Sequence, residues 1–213
     1  METVGLKGTY ESIGNVVDTD LFTPTENSNN KCQIIYVGNI IQKHKRILDL
    51  IRIIGQLSEE RSDFELSIYG EGIQEKECLA LVQKNNWHER IHLMGTLDRK
   101  GIAEKMAQSD FLILYSETEN QPCVINEAQA CGLPVVVPSI EGIVERMNDQ
   151  LGIVFTKTNP TEFKASLNKM LDEYQQYNKQ FIRAFAEKEY SESNIAKRFE
   201  KLYQQVISNT PNS

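Results

Sequence analysis

Six short apolar runs punctuate this chain, and helix-patterned stretches separate them. The runs are QIIYVG (33–38), FELSIYG (64–70), RIHLMG (90–95), DFLILYS (110–116), LPVVVP (133–138) and GIVF (152–155). They are continuous rather than alternating, the pattern of strands covered on both faces. Between the first two runs, Ile47, Leu50, Ile51, Ile54 and Leu57 keep helical spacing. Residues 73–86 and 99–108 are weaker helical patterns of sufficient length. This β-α-β-α order predicts a Rossmann-like α/β fold, a parallel sheet of about six strands with helices on both faces. After the last run the pattern changes. Phe163, Leu167, Met170, Leu171 and Tyr174 predict one amphipathic helix, and Ile195, Phe199, Leu202 and Val206 another. Two or three helices therefore close the chain, and the aromatics of the last ones, like Trp87, are expected in the core.

Composition narrows the function. With 213 residues, 40% hydrophobic, the chain can bury a sizeable core. Its net charge of −7 argues against a nucleic-acid partner, which calls for a basic face. No apolar run approaches the roughly 20 residues that span a bilayer. METVGLKGTYESIGN has no signal-peptide core, so a cytoplasmic location is expected. Cys32, Cys78, Cys123 and Cys131 form no CxxC pair, and three of them fall in core patterns, which predicts free thiols. PTENSNNK (24–31) reads as a polar loop and the final PNS as a frayed end.

Gly38, Gly70 and Gly95 each follow a strand, where glycine permits a tight turn or a close approach to a ligand. In open parallel sheets ligands bind at that edge. The richest stretch there is SETENQPCVINEAQACGLPVVVP (116–138). Pro122 suits the first turn of a helix, and Gly132 its stop. On that helix Val124, Glu127 and Cys131 share a face with Ala128, so Glu127 interrupts an apolar stripe. A buried carboxylate needs hydrogen bonds or a cation. It is either bonded to a neighbouring backbone or lysine, or it accepts from a ligand's hydroxyls. Glu119 precedes the helix, whose free N–H groups and dipole favour an anion such as phosphate. An anion site with a carboxylate on each side fits a ligand with a central diphosphate and hydroxyl-bearing ends.

ETENQPCVINEAQACGLPVVVPSIEGIVE resembles the E-x7-E signature of family 4 (group 1) glycosyltransferases, retaining enzymes of the GT-B fold. Other blocks agree in order. IGNVVDTDLF (13–22) is similar to the linker into the second domain, and QIIYVGNIIQKHKRILDLI to its first strand and helix. LSIYGEG, IHLMGTLD and SDFLILYSETE resemble the strands and loops that follow. The resemblance implies that residues 1–23 end an interdomain linker and that 24–213 form the nucleotide-sugar-binding domain. The N-terminal acceptor half, with any peripheral membrane contact, would be absent. The implied function is the donor-binding half of a hexosyltransferase, inactive alone, that moves sugar from a UDP-sugar or GDP-sugar to a glycan or lipid-linked acceptor. No cofactor and no metal are implied.

By position, the resemblance makes Glu119 the contact for donor-sugar hydroxyls and Glu127 that for the ribose. Lys45 would grip the diphosphate, and with Glu119 it forms the implied catalytic pair. Backbone around Pro122, Cys123 and Val124 would hold phosphate. Gly95, Thr96 and Leu97 would meet the base, and Gly38 would let the first loop approach. Asn39 stands where the family carries an arginine, with Lys43, His44 and Arg46 as candidates to replace it. Val16 and Arg46 replace family glycines. Weaker signals read as structural: Asp18-Thr19-Asp20 lies in the linker, Gly70-Glu71-Gly72 lacks the third glycine of a dinucleotide fingerprint, and His44, His88 and His92 fall in helix, turn and strand patterns. Two other readings stand beside this one, a nucleotide-sugar epimerase half and a non-catalytic nucleotide-binding or scaffolding domain.

Overall fold

The computed structural model describes residues 12–26 and 30–209. The expectations for residues 1–11, for the middle of the polar loop and for the final PNS lie outside the described residues. All six apolar runs form strands: β1 (Cys32–Val37), β2 (Phe64–Tyr69), β3 (Ile91–Gly95), β4 (Phe111–Ile113), β5 (Val135–Pro138) and β6 (Gly152–Phe155). They make one parallel sheet in the order β3-β2-β1-β4-β5-β6. Cys32 to Val37 pair in register with Phe64 to Tyr69. The central strands carry the purest apolar runs: every residue of β4 and β5 is buried. The edge strands show Met94 and Val154 to solvent.

The helices are α1 (Gln42–Lys45), α2 (Ile47–Glu60), α3 (Glu75–Lys84), α4 (Arg99–Ala107), α5 (Cys123–Ala130), α6 (Pro160–Glu173), α7 (Lys179–Tyr190) and α8 (Glu192–Asn209). On one layer α2 packs against α3 and α6; elsewhere α5 packs against α7. Gly55 lets Trp87 lie flat on α2, since a Cβ there would stand 2.2 Å from the indole. Starts follow local chemistry: Asp98, Asn159 and Asn178 each accept a backbone N–H three residues on and so cap α4, α6 and α7. The cysteines are free, with Cys32, Cys78 and Cys131 buried and Cys123 exposed.

Two expectations need correction. The run 110–116 keeps strand form only to Ile113, because Glu117 N–H turns away to bond His44 O at 2.8 Å. On α8 only Ile195 of the predicted stripe is buried; Phe199 and Val206 are exposed, as is Tyr203. The aromatics of the last helix are therefore not core.

Residues 12–26 are held to the domain rather than loose. Val17 N–H donates to Tyr190 O at 2.8 Å, and Phe22 is fully buried. Asp18 closes a turn by accepting Leu21 N–H at 3.0 Å, the structural role read for the DxD. Arg183 is the main tie. Its guanidinium donates to Phe22 O, to Ala130 O at 2.8 Å and to Thr19 O at 2.7 Å. Ala130 ends α5, so one of these bonds satisfies an otherwise open helix carbonyl. Arg183→Met should lower unfolding free energy by about 2–4 kcal/mol, since it strands buried carbonyls. Urea denaturation checks this, and a loss under about 0.5 kcal/mol, the scale of an ordinary surface change, would remove Arg183 from the role.

Candidate functional site

In an open parallel sheet the ligand crevice forms where neighbouring strands send their chains to opposite faces. Here that point lies between β1 and β4. The segment after β1 carries Gly38, Asn39 and Lys45, and the segment after β4 carries Glu119 and leads into α5. The two segments meet. Lys45 Nζ lies 2.5 Å from Glu119 Oε1, with side-chain exposures of 22% and 8%. Ser116, fully buried at the end of the β4 run, donates its hydroxyl to the same Oε1 at 2.6 Å.

The loop after β1 is held from below. Tyr36 is buried, and its hydroxyl donates to Asn39 O at 3.1 Å. Gly38 N–H donates to Tyr69 O at 3.0 Å, and Gly70 N–H to Gly95 O at 2.9 Å. The three strand-end glycines thus stack loop on loop. Asn39 itself is exposed, and so are Lys43 and His44. Arg46, in place of a family glycine, takes a left-handed backbone (φ 51°, ψ 36°), which glycine adopts freely. Its guanidinium is committed to acids, with Nε 2.8 Å from Asp49 and one terminal nitrogen 3.6 Å from Glu117. It therefore offers no free cation to replace the missing arginine.

Pro122 is the N-cap of α5 (φ −68°, ψ 111°), one place before the predicted first turn. It has no N–H, so the helix end presents the amides of Cys123 and Val124. Gly132 follows the helix at φ 74°, as the stop required. Glu127 sits at the edge of the buried face rather than in it. The buried polar residues of α5 are Asn126 and Gln129. Among the described residues the Glu127 side chain makes no hydrogen bond. Burial pushes its carboxyl above the ordinary range, and the Arg99 guanidinium partly offsets this. Gly95 is left-handed (φ 72°) with open space where a Cβ would stand, and Thr96 and Leu97 are exposed beside it.

Of the predicted site residues, Lys45 and Glu119 touch; among the described residues no hydrogen bond or ion pair joins Glu127 to either. Sequence reading missed Ser116, Tyr36 and Arg99. Ser116 stands three residues before Glu119 at a strand end, the one local hint. The histidines are structural or exposed: His92 Nε2 lies 3.9 Å from Glu65, His44 Nδ1 lies 3.2 Å from Thr118 Oγ1, and His88 is exposed.

The Rossmann-like sheet, with Lys45 and Glu119 paired at its switch point, has the architecture of one half of a GT-B fold. The description of the glycosyl transferases group 1 matches residues 31–173. The chain belongs to that family. It is 27% identical to a human protein of the phosphatidylinositol N-acetylglucosaminyltransferase, over 91% of this chain and 40% of that protein. It is 32% identical to N-acetyl-alpha-D-glucosaminyl L-malate synthase of Bacillus anthracis, over 53% of this chain and 28% of that protein. A mutant of S. aureus TarM, solved with fondaparinux, alpha-GlcNAc-glycerol and UDP, superposes with a TM-score of 0.78 at 17% identity. That match covers 91% of this chain and 39% of TarM. The chain thus spans less than half the length of these relatives. No helix among the described residues is long and apolar enough to cross a membrane.

Proposed function

We propose that the chain is the donor-binding half of a retaining, cytoplasmic glycosyltransferase whose donor is a UDP–N-acetylhexosamine. The observation that carries this is the Lys45–Glu119 pair, placed at the switch point beside the α5 N-terminus. Support for the nucleotide and sugar comes from the relatives: two are named for N-acetylglucosaminyl groups, and TarM was solved with UDP and alpha-GlcNAc-glycerol.

In this reading Lys45 and the Cys123 and Val124 amides hold the diphosphate. They stabilise the negative charge that grows there as the glycosidic bond breaks, an electrostatic role. Glu119 accepts from sugar hydroxyls and sets the sugar's orientation. Glu127 accepts from the ribose, and Gly95–Leu97 meet the base through backbone. A second Rossmann-like half would close over the donor and bring a glycan or lipid-linked acceptor. The 213 residues alone are expected to bind donor and transfer little or no sugar.

Calorimetric titration with UDP, GDP and UDP-GlcNAc tests this. UDP should bind, GDP more weakly. Glu127→Gln should lose about ten-fold in UDP affinity at neutral pH, the worth of a hydroxyl bond to a charged acceptor. Because burial raises the Glu127 pKa, the carboxylate is lost as pH falls through that raised value, and affinity should fall with it. The Gln variant should lack this pH dependence. No binding of any nucleotide would favour the scaffold reading, and interconversion of UDP-GlcNAc by a longer chain would favour the epimerase.

A further inference from the structure

We propose that Ser116 is the positioning residue for Glu119, holding its carboxylate in place while Lys45 leaves it for the donor diphosphate. This rests on the donor-site reading above. Both partners of Glu119 crowd one oxygen: Lys45 Nζ at 2.5 Å and Ser116 Oγ at 2.6 Å, both on Oε1. Among the described residues Oε2 receives no hydrogen bond, so it stays open to a hydroxyl donor. A diphosphate carries more charge than one carboxylate and competes for the same ammonium. When it takes Lys45, Glu119 loses its cation while only 8% exposed. A carboxylate there with no remaining partner would be free to swing away. Ser116 remains. It is fully buried, its hydroxyl donates to Glu119, and its backbone is fixed between β4 and the Glu117–His44 bond. It can keep the Glu119 carboxylate pointed, with Oε2 free for the sugar.

The expected signature is a split between nucleotide and nucleotide sugar. UDP uses Lys45, the α5 amides and Glu127, none of which needs Glu119 to be oriented. UDP-GlcNAc also uses Glu119. Titrating the chain by calorimetry, Ser116→Ala should bind UDP within about two-fold of wild type. Its affinity for UDP-GlcNAc should fall about ten-fold, the scale of one hydrogen bond to a charged group. Ser116→Cys keeps the volume with a weak donor, and should show the same split even where alanine leaves a cavity. Ser116→Thr keeps the hydroxyl and should restore the wild-type ratio. Equal losses for UDP and UDP-GlcNAc, or no loss for either, would overturn the proposal, since a merely structural serine cannot single out the sugar. A wild-type chain that binds no UDP would instead defeat the donor-site reading on which it rests.

Discussion

Replacing Lys45 by methionine is expected to weaken UDP binding about 100-fold, toward the lower end of the roughly 2–5 kcal/mol that truncating one partner of a buried charge pair costs, since this pair is only partly buried. Two effects add. The diphosphate loses a charge-assisted bond, worth about 1.5–3 kcal/mol. Glu119 loses the cation that faces it at 2.5 Å, and its charge then repels the incoming phosphate. The second effect can be isolated. Glu119→Gln in the Lys45→Met background removes the repulsion and should recover part of the loss, while the phosphate bond stays missing. Glu119→Gln alone frees Lys45 and should leave UDP affinity equal or tighter. Isothermal titration of the four proteins closes the cycle. A Lys45→Met variant that binds UDP like wild type would end the assignment of Lys45 to the diphosphate. Salt gives an independent reading: wild-type affinity should fall with ionic strength, and the methionine variant should respond less.

The strands were legible because a doubly covered strand has no polar face to dilute its apolar run, as QIIYVG and LPVVVP show. Length was less legible. Leu114, Tyr115 and Ser116 are as buried as β4 itself, yet the chain beyond Leu114 leaves the ladder and Glu117 N–H bonds His44 O in α1, and burial pattern alone does not separate the two cases. The stripe on α8 shows the complementary limit. Periodicity reports that a helix has an apolar side; it does not report what covers it, and here Phe199 and Val206 stay exposed. The site divides in the same way. Glu119 and Lys45 were reached through resemblance to a family, since no local pattern links residues 74 apart in sequence. Their direct pairing is a tertiary fact. Ser116 carried no signal beyond its nearness to Glu119. The Arg46 substitution looked like a spare cation, but its left-handed backbone and its bonds to Asp49 and Glu117 commit it to holding the loop.

Gly70→Ala is expected to destabilise the fold by about 3–5 kcal/mol, combining a strained backbone with an overpacked contact. The chain there sits at φ 148°, open to glycine alone, and an added Cβ would stand 1.9 Å from Gly38 O. That neighbour is main chain, tied by Gly38 N–H to Tyr69 O, so it cannot swing aside. Relief requires the loops after β1 and β2 to part, which moves Asn39 and the approach to Lys45. Whatever Gly70→Ala protein folds should therefore also bind UDP more weakly. Gly95→Ala is the control. It too has a positive φ, 72°, yet a Cβ there meets nothing within 4 Å. It should cost only the left-handed penalty, about 1–2 kcal/mol. Urea denaturation of both variants separates backbone strain from steric contact. Equal losses would show that conformation alone sets the cost, and that the close approach of Gly38 to Gly70 does not hold the loop after β1 in place.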